Sequence, residues 1–215
     1  MDLLIFIGVS LAFIAGITVV ERWRNPVQTD WRVNLQSWVI NTAIGAMFAQ
    51  FWPHWRGASL IDAATLPLWL ALPAYFLVRD FLEWFYHYAQ HRVGALWAIH
   101  SLHHSDPEMC ALTIAAVSLY HYFVHSNLRV DFGRWSWLLN SPAYHRRHHS
   151  RLPEHYDANL AALFPIWDVL FGFYRRPDGW PPCGLDEGKP ENLTELVAWP
   201  VRGRKAAAGG TSGEA

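Results

Sequence analysis

The chain has 215 residues, enough for one domain or one compact bundle, and 52% of them are hydrophobic against 16% charged. A formal net charge of -1, with lysine only at Lys189 and Lys205, offers no basic field for nucleic acid. Two cysteines, Cys110 and Cys183, without a CxxC pair, exclude a disulfide framework and an iron-sulfur site and read as plain thiols.

Leu3 to Val20 carries no charge and ends at Glu21, Arg22 and Arg24. Its length just spans a hydrocarbon core, and with no basic stretch before it and no small-residue cleavage pattern after it, it reads as a retained transmembrane helix. A second apolar stretch predicts a span over 36–53, interrupted by Asn41 and Gln50, and a third predicts one over 64–86. Arg22 and Arg24 follow the first span, Arg56 the second, and Arg79 and Arg92 the third. This bias places the end of the third span on the cytoplasmic side.

Ten of the twelve histidines then fall in four groups: His87 and His91; His100, His103 and His104; His121 and His125; His145, His148 and His149. Spacings of three and four put the imidazoles of each group one turn apart on one helix face. Imidazole is the commonest side-chain metal ligand, and ten are too many for one ion, so two metals are the natural count. His54 and His155, which stand alone, read as surface or interfacial residues.

Met109 to Val124 is apolar, yet crossing the membrane would carry His121 and His125 to the side opposite His87. It is therefore expected to be re-entrant, interfacial or packed within the bundle. Leu160 to Tyr174, aromatic and broken by Pro165 and Asp168, is expected to lie along the interface. Residues 176–215, rich in Pro and Gly and then in small residues, are expected to be loop and a disordered tail. The 13 tryptophans suit interfacial anchoring and core filling, and Tyr86, Tyr88 and Tyr144, next to histidines, suit packing.

Neutral imidazoles suit iron, zinc or copper, and each ring needs an acceptor to orient it. Asp80 and Glu83, seven and four residues before His87, lie on nearly the same helix face. Asn127, Asp157, Asn159 and Asp168 are the candidates for the later groups.

The segments DFLEWFYHYAQH (80–91), LWAIHSLHHS (96–105), HSNL (125–128), SPAYHRRHHS (141–150) and DANLAALFPIWDVLFGFY (157–174) resemble the fatty acid hydroxylase and sterol desaturase superfamily over roughly 75–175. The resemblance implies an all-α, multi-pass integral membrane helical bundle with a cytoplasmic histidine-rich metal-binding cap. It implies a non-haem di-iron enzyme that uses dioxygen and external electrons on a C-H bond of a lipid, fatty acyl, sterol or related isoprenoid. Carried over residue by residue, the metal ligands are the ten clustered histidines, holding two Fe ions, with Zn as a substitute. With no flavin, nicotinamide or haem motif in the sequence, electrons are expected from a ferredoxin or a cytochrome with its reductase. Two departures stand out: His104 and His121 are only 17 positions apart, where the family has a longer hydrophobic hairpin, and Leu160 stands where a tyrosine is more usual. A zinc-dependent membrane hydrolase and a shortened, non-catalytic metal- or lipid-binding relative are the alternatives.

Overall fold

The computed structural model describes residues 3–25, 31–51, 65–109 and 119–209. It is all-helical: α1 (Leu3–Arg24), α2 (Trp31–Phe51), α3 (Leu68–Arg92), α4 (Gly94–His104), α5 (Leu119–Val124), α6 (Pro142–His148), α7 (Ile166–Phe171) and α8 (Leu193–Gly209). Among the described residues the only β pairing is an isolated bridge between Ser150 and Cys183.

The spans expected over 3–20, 36–53 and 64–86 overlap α1, α2 and α3. Among the described residues, however, no helix is long and apolar enough to cross a membrane. Polar side chains explain this in part, since α2 opens with Arg32, Asn34 and Gln36, and α3 holds Arg79, Asp80 and Glu83 in its second half. The apolar side chains of α1 and α3 nevertheless face outward, Val19, Leu68, Trp69 and Val78 all being more than half exposed.

α3 continues past the expected bilayer exit, so the helix that begins at Leu68 also carries His87 and His91. Its buried polar residues dock the segment that returns beneath it. Asp80 accepts from the backbone N–H groups of Leu163 and Phe164 and from Trp167 Nε1 at 2.9–3.1 Å. Around that contact Trp84, Tyr144, Leu160 and Ala161 form a buried cluster with Phe81, Tyr88, Trp167, Phe173 and Tyr174 packed against it. A second cluster joins α1, α2 and α5 through Ile14, Trp38 and Tyr122, with Trp38 Nε1 donating to the Tyr122 hydroxyl at 3.1 Å.

α6 starts where its sequence dictates: Ser141 is the N-cap, its hydroxyl accepting from the Tyr144 N–H at 3.2 Å, and Pro142 occupies the first turn without wasting a donor. α7 ends at Gly172, whose φ of 82° is the left-handed conformation that glycine adopts at least cost. α7 is one and a half turns only, shorter than the aromatic stretch expected along the interface, with Val169, Leu170 and Phe171 exposed and Asp168 buried.

Two expectations fail. Residues 176–215 are not all loop and tail, because α8 buries Leu196 and Trp199, and Trp199 Nε1 donates to Ser101 Oγ of α4 at 3.1 Å. The two apolar anchors, three positions apart, outweigh the Pro and Gly content around them. His155 is buried, not at the surface, in a short 3-10 turn. Residues 110–118, most of the stretch expected to be re-entrant, lie outside the described residues, as do His54, Cys110 and 210–215. Cys183 is buried, and burial pushes its thiol up to about 12, so it stays a neutral thiol.

Candidate metal centre

Nine of the ten clustered histidines converge in two adjoining groups. His87, His91, His100, His104 and His148 form one; His103, His125, His145 and His149 form the other; within each, one ring nitrogen per residue lies within 4.8 Å of all the rest. Helix geometry explains the partition. Residues four apart are rotated by about 40° and residues three apart by about 60° the other way. α4 therefore sends His100 and His104 to the first group and His103 to the second, whereas α6 and the residue after it send His148 to the first and His145 and His149 to the second. The groups touch where the His104 and His149 rings stack at a centroid distance of 4.2 Å.

Hydrogen bonding alone cannot hold this arrangement. His100 Nε2 lies 3.0 Å from His87 Nε2 and 3.1 Å from His104 Nε2. His125 Nε2 lies 2.9 Å from His103 Nε2 and 2.8 Å from His145 Nε2. One ring nitrogen has either a hydrogen or a lone pair and cannot satisfy two such contacts. Four rings also have their tautomer set from outside. Nδ1 of His87 donates to the Leu160 carbonyl at 2.6 Å, that of His148 to Ala158 at 2.9 Å, and that of His125 to His121 at 2.6 Å. His91 Nδ1 faces Asp157 Oδ1 at 3.3 Å. In all four the Nε2 lone pair is left aimed into the cluster, and in His91 and His148 that atom is buried without a hydrogen-bond partner. Lone pairs converging on a common point are what a cation needs, so these residues fit a metal in each group.

Burial, reinforced by neighbouring imidazoles, pushes His100, His103, His104, His145, His148 and His149 well below the ordinary histidine value, and burial brings His125 down to about 3. They are neutral at pH 7, the state that binds metal. The unfolded chain protonates these residues near pH 6.5 while the folded state refuses the proton. Stability of the metal-free protein is accordingly full above that value and lost as pH falls from about 6.5 toward 3, each histidine removing about 1.4 kcal/mol per pH unit. Denaturation midpoints of chelator-treated protein at pH 7.5 and 5 test this, and equal midpoints refute it.

The acceptors expected from the sequence divide. Asp157 faces His91, and its carboxyl is held low by that contact and by Arg92 at 3.3 Å. Glu83 lies 3.0 Å from His121 Nε2 and 3.5 Å from Arg79. Asp80 holds the segment around Leu163, as described above. Asn127 accepts from Arg146, and its backbone N–H donates to the buried Glu21. Asn159 bridges the backbones of Tyr144 and Arg175. Asp168 accepts from Trp84, Tyr144 and Ala161. These four touch no imidazole in the hydrogen bonds they make.

His121 stands outside both groups, contributing its carbonyl to His125.

Sequence reasoning missed the backbone carbonyls. One four-residue stretch, Asp157–Leu160, orients three rings of the first group through one carboxylate and two carbonyls. Asp157 and Asn159 both adopt left-handed φ, 54° and 58°, and are residue types that tolerate it. Asp157→Ala is expected to weaken metal binding in the first group by about 10–100-fold and leave the second unchanged. Metal titration of the variant, resolving two binding steps, checks it; equal weakening of both steps would refute the assignment.

Residues 107–173 match the family model described as fatty acid hydroxylase. Alkylglycerol monooxygenase from Xenopus tropicalis is 28% identical over 160 residues, 60% of this chain and 35% of that one. The Danio rerio alkylglycerol monooxygenase is 30% identical over 158 residues, 59% of this chain and 34% of that one. Ornithine lipid hydroxylase OlsE from Rhizobium tropici is 26% identical over 152 residues, 60% of this chain and 46% of that one. The chain thus spans about a third of the length of the alkylglycerol monooxygenases it matches. No solved structure shows a significant match. The matched stretch holds the last two histidine groups, the Asp157–Leu160 clamp and the Asp168 hub, and over it the chain is similar to the fatty acid hydroxylases.

Proposed function

We propose that the protein is an oxidoreductase, an iron-dependent, dioxygen-using hydroxylase or desaturase of a lipid C-H bond. The observation that carries this reading is the pair of adjoining groups of buried imidazoles whose ring nitrogens converge. The nine clustered histidines gathered in the two groups are the proposed ligands, and His121, the tenth of the set expected from the sequence, orients His125 through its carbonyl. Relatives named as a monooxygenase and a hydroxylase favour oxygen insertion over desaturation. Iron held by imidazoles supplies dioxygen activation. The chain's own residues bind and orient: Asp157, Ala158 and Leu160 hold rings of the first group, the His121 carbonyl holds His125, and burial excludes bulk water. Electrons come from an external ferredoxin or cytochrome with its reductase.

The reading includes a multi-pass membrane location with the histidines on the cytoplasmic side. The outward-facing apolar side chains of α1 and α3 support it, because a water-facing surface would not present Val19, Leu68, Trp69 and Val78 in this way. The test is metal analysis of protein extracted by detergent from the membrane fraction, with Mössbauer spectroscopy of iron-57-grown material. About two coupled irons per chain, and oxygen-dependent formation of an oxidised lipid with a reductase present, are expected. Zinc alone with oxygen-independent turnover would replace this reading with a hydrolase. Absence of metal would make the chain a non-catalytic relative.

A further inference from the structure

A cavity of about 440 Å³ reaches from the exposed loop after Gly184 down to imidazoles of both groups, His104 and His149 among them. Its walls include the rings of Trp97, from α4, Trp199, from α8, and Tyr156. Its remaining charged lining is Asp157, Asp186 and Glu187, and among the described residues no lysine or arginine lines it. Asp157 and Asp186 are paired with Arg92 and Arg151 at 3.3 and 2.6 Å, which leaves Glu187 as the carboxylate available to a ligand. The loop that bears Asp186 and Glu187 is fixed at its start: Gly184 has φ 101°, and a Cβ there would lie 3.3 Å from Pro107 Cα. Burial first, and then Asp186 and Glu187, raise the Tyr156 hydroxyl above its ordinary value against an opposing pull from Arg151.

Aromatic rings attract cations over their faces, and a carboxylate at the mouth adds to that attraction. A hydrocarbon chain is matched by the same indoles without any need for charge. We propose that this cavity takes an ammonium-bearing amphiphile, with the cationic head at Glu187 and Tyr156 and the carbon chain between Trp97 and Trp199 toward the histidines. The proposal rests on the lipid-oxidising reading above and narrows its substrate class. Trp199 is then a specificity residue, placed by its hydrogen bond to Ser101.

Direct binding separates this proposal from the reading on which it rests. Saturation-transfer NMR on the full chain in a maltoside detergent compares choline, its uncharged carbon isostere 3,3-dimethylbutan-1-ol, and decyltrimethylammonium. Choline is expected to bind about tenfold more tightly than the isostere, and Glu187→Gln, an exposed change that does not disturb the core, to remove most of that difference. The decyl chain is expected to tighten binding at least about tenfold further. Equal binding of choline and its isostere, or no effect of Glu187→Gln, overturns the proposal. Choline binding as tightly as decyltrimethylammonium overturns the lipid headgroup in favour of a small free ammonium ion. Ammonium binding without lipid oxidation strikes the oxygenase reading alone, and oxidation of a neutral lipid without choline binding strikes this proposal alone.

Discussion

His104→Ala is expected to lower iron content by at least one equivalent and lipid oxidation by more than about 100-fold, since loss of an orienting contact alone costs 10–100-fold and loss of a ligand costs more. His104 is in the first group, contacts His100 Nε2 at 3.1 Å, and stacks on His149 of the second at 4.2 Å, so its removal disturbs the boundary between the two. His121→Ala is the informative partner. The His121 ring faces Glu83 at 3.0 Å and lies 6.5 Å from the His125 ring, while its hydrogen bond to the second group runs through a backbone carbonyl that alanine keeps. Its loss of iron is expected to be smaller than that of His104→Ala, within about tenfold of the parent affinity. Iron quantification with parallel circular dichroism checks both variants. A His121 variant as iron-poor as the His104 variant, while still folded, would make His121 a ligand of equal weight.

Asp168→Ala is expected to cost about 3–5 kcal/mol of stability. The Asp168 side chain is fully buried. Its Oδ1 accepts from Trp84 Nε1 at 2.9 Å, and its Oδ2 accepts from the Tyr144 hydroxyl at 2.6 Å and the Ala161 N–H at 2.7 Å. Removing the carboxylate leaves three buried donors unsatisfied, which costs more than the hydrogen bonds were worth. Asn in the same place keeps the shape and one acceptor but turns an amide N–H₂ toward donors, so an intermediate loss of about 1–3 kcal/mol is expected. The three donors belong to the site's scaffold. Trp84 precedes His87 on α3, Tyr144 precedes His145, and Ala161 follows Leu160, whose carbonyl holds the His87 ring. Metal affinity in both groups is therefore expected to fall with stability, by about 10–100-fold. Chemical denaturation and metal titration of the same preparations check the pair, and unchanged stability in Asp168→Ala would refute the hub.

The two predictions differ in how far the sequence alone could make them. His104 was legible because histidines at spacings of three and four report a helix face, and four such groups within 63 positions, 87 to 149, report convergence. Asp168 was legible only as a polar interruption in an aromatic stretch and was expected to orient a histidine. It holds Trp84, Tyr144 and Ala161 because the chain after α6 folds back under α3, and nothing local in DANLAALFPIWD encodes that return. Asp80 and Glu83 show the same limit. Both lie on nearly the face of His87, yet Asp80 faces the segment returning under the helix and Glu83 faces α5.

Residue type and spacing by themselves determined the helical class, the ten candidate imidazoles and the likeness to a lipid-oxidising family, because ligand chemistry and helix period are local properties. Tertiary structure alone decided how His-x-x-His-His divides between two groups, which rings are steered by carbonyls of 158 and 160, that α8 closes over α4 where a tail was expected, and that a cavity joins the carboxylates of the 184–187 loop to the histidines. Each of these depends on backbone groups, or on residues brought together from distant positions, and a carbonyl has no letter in the sequence.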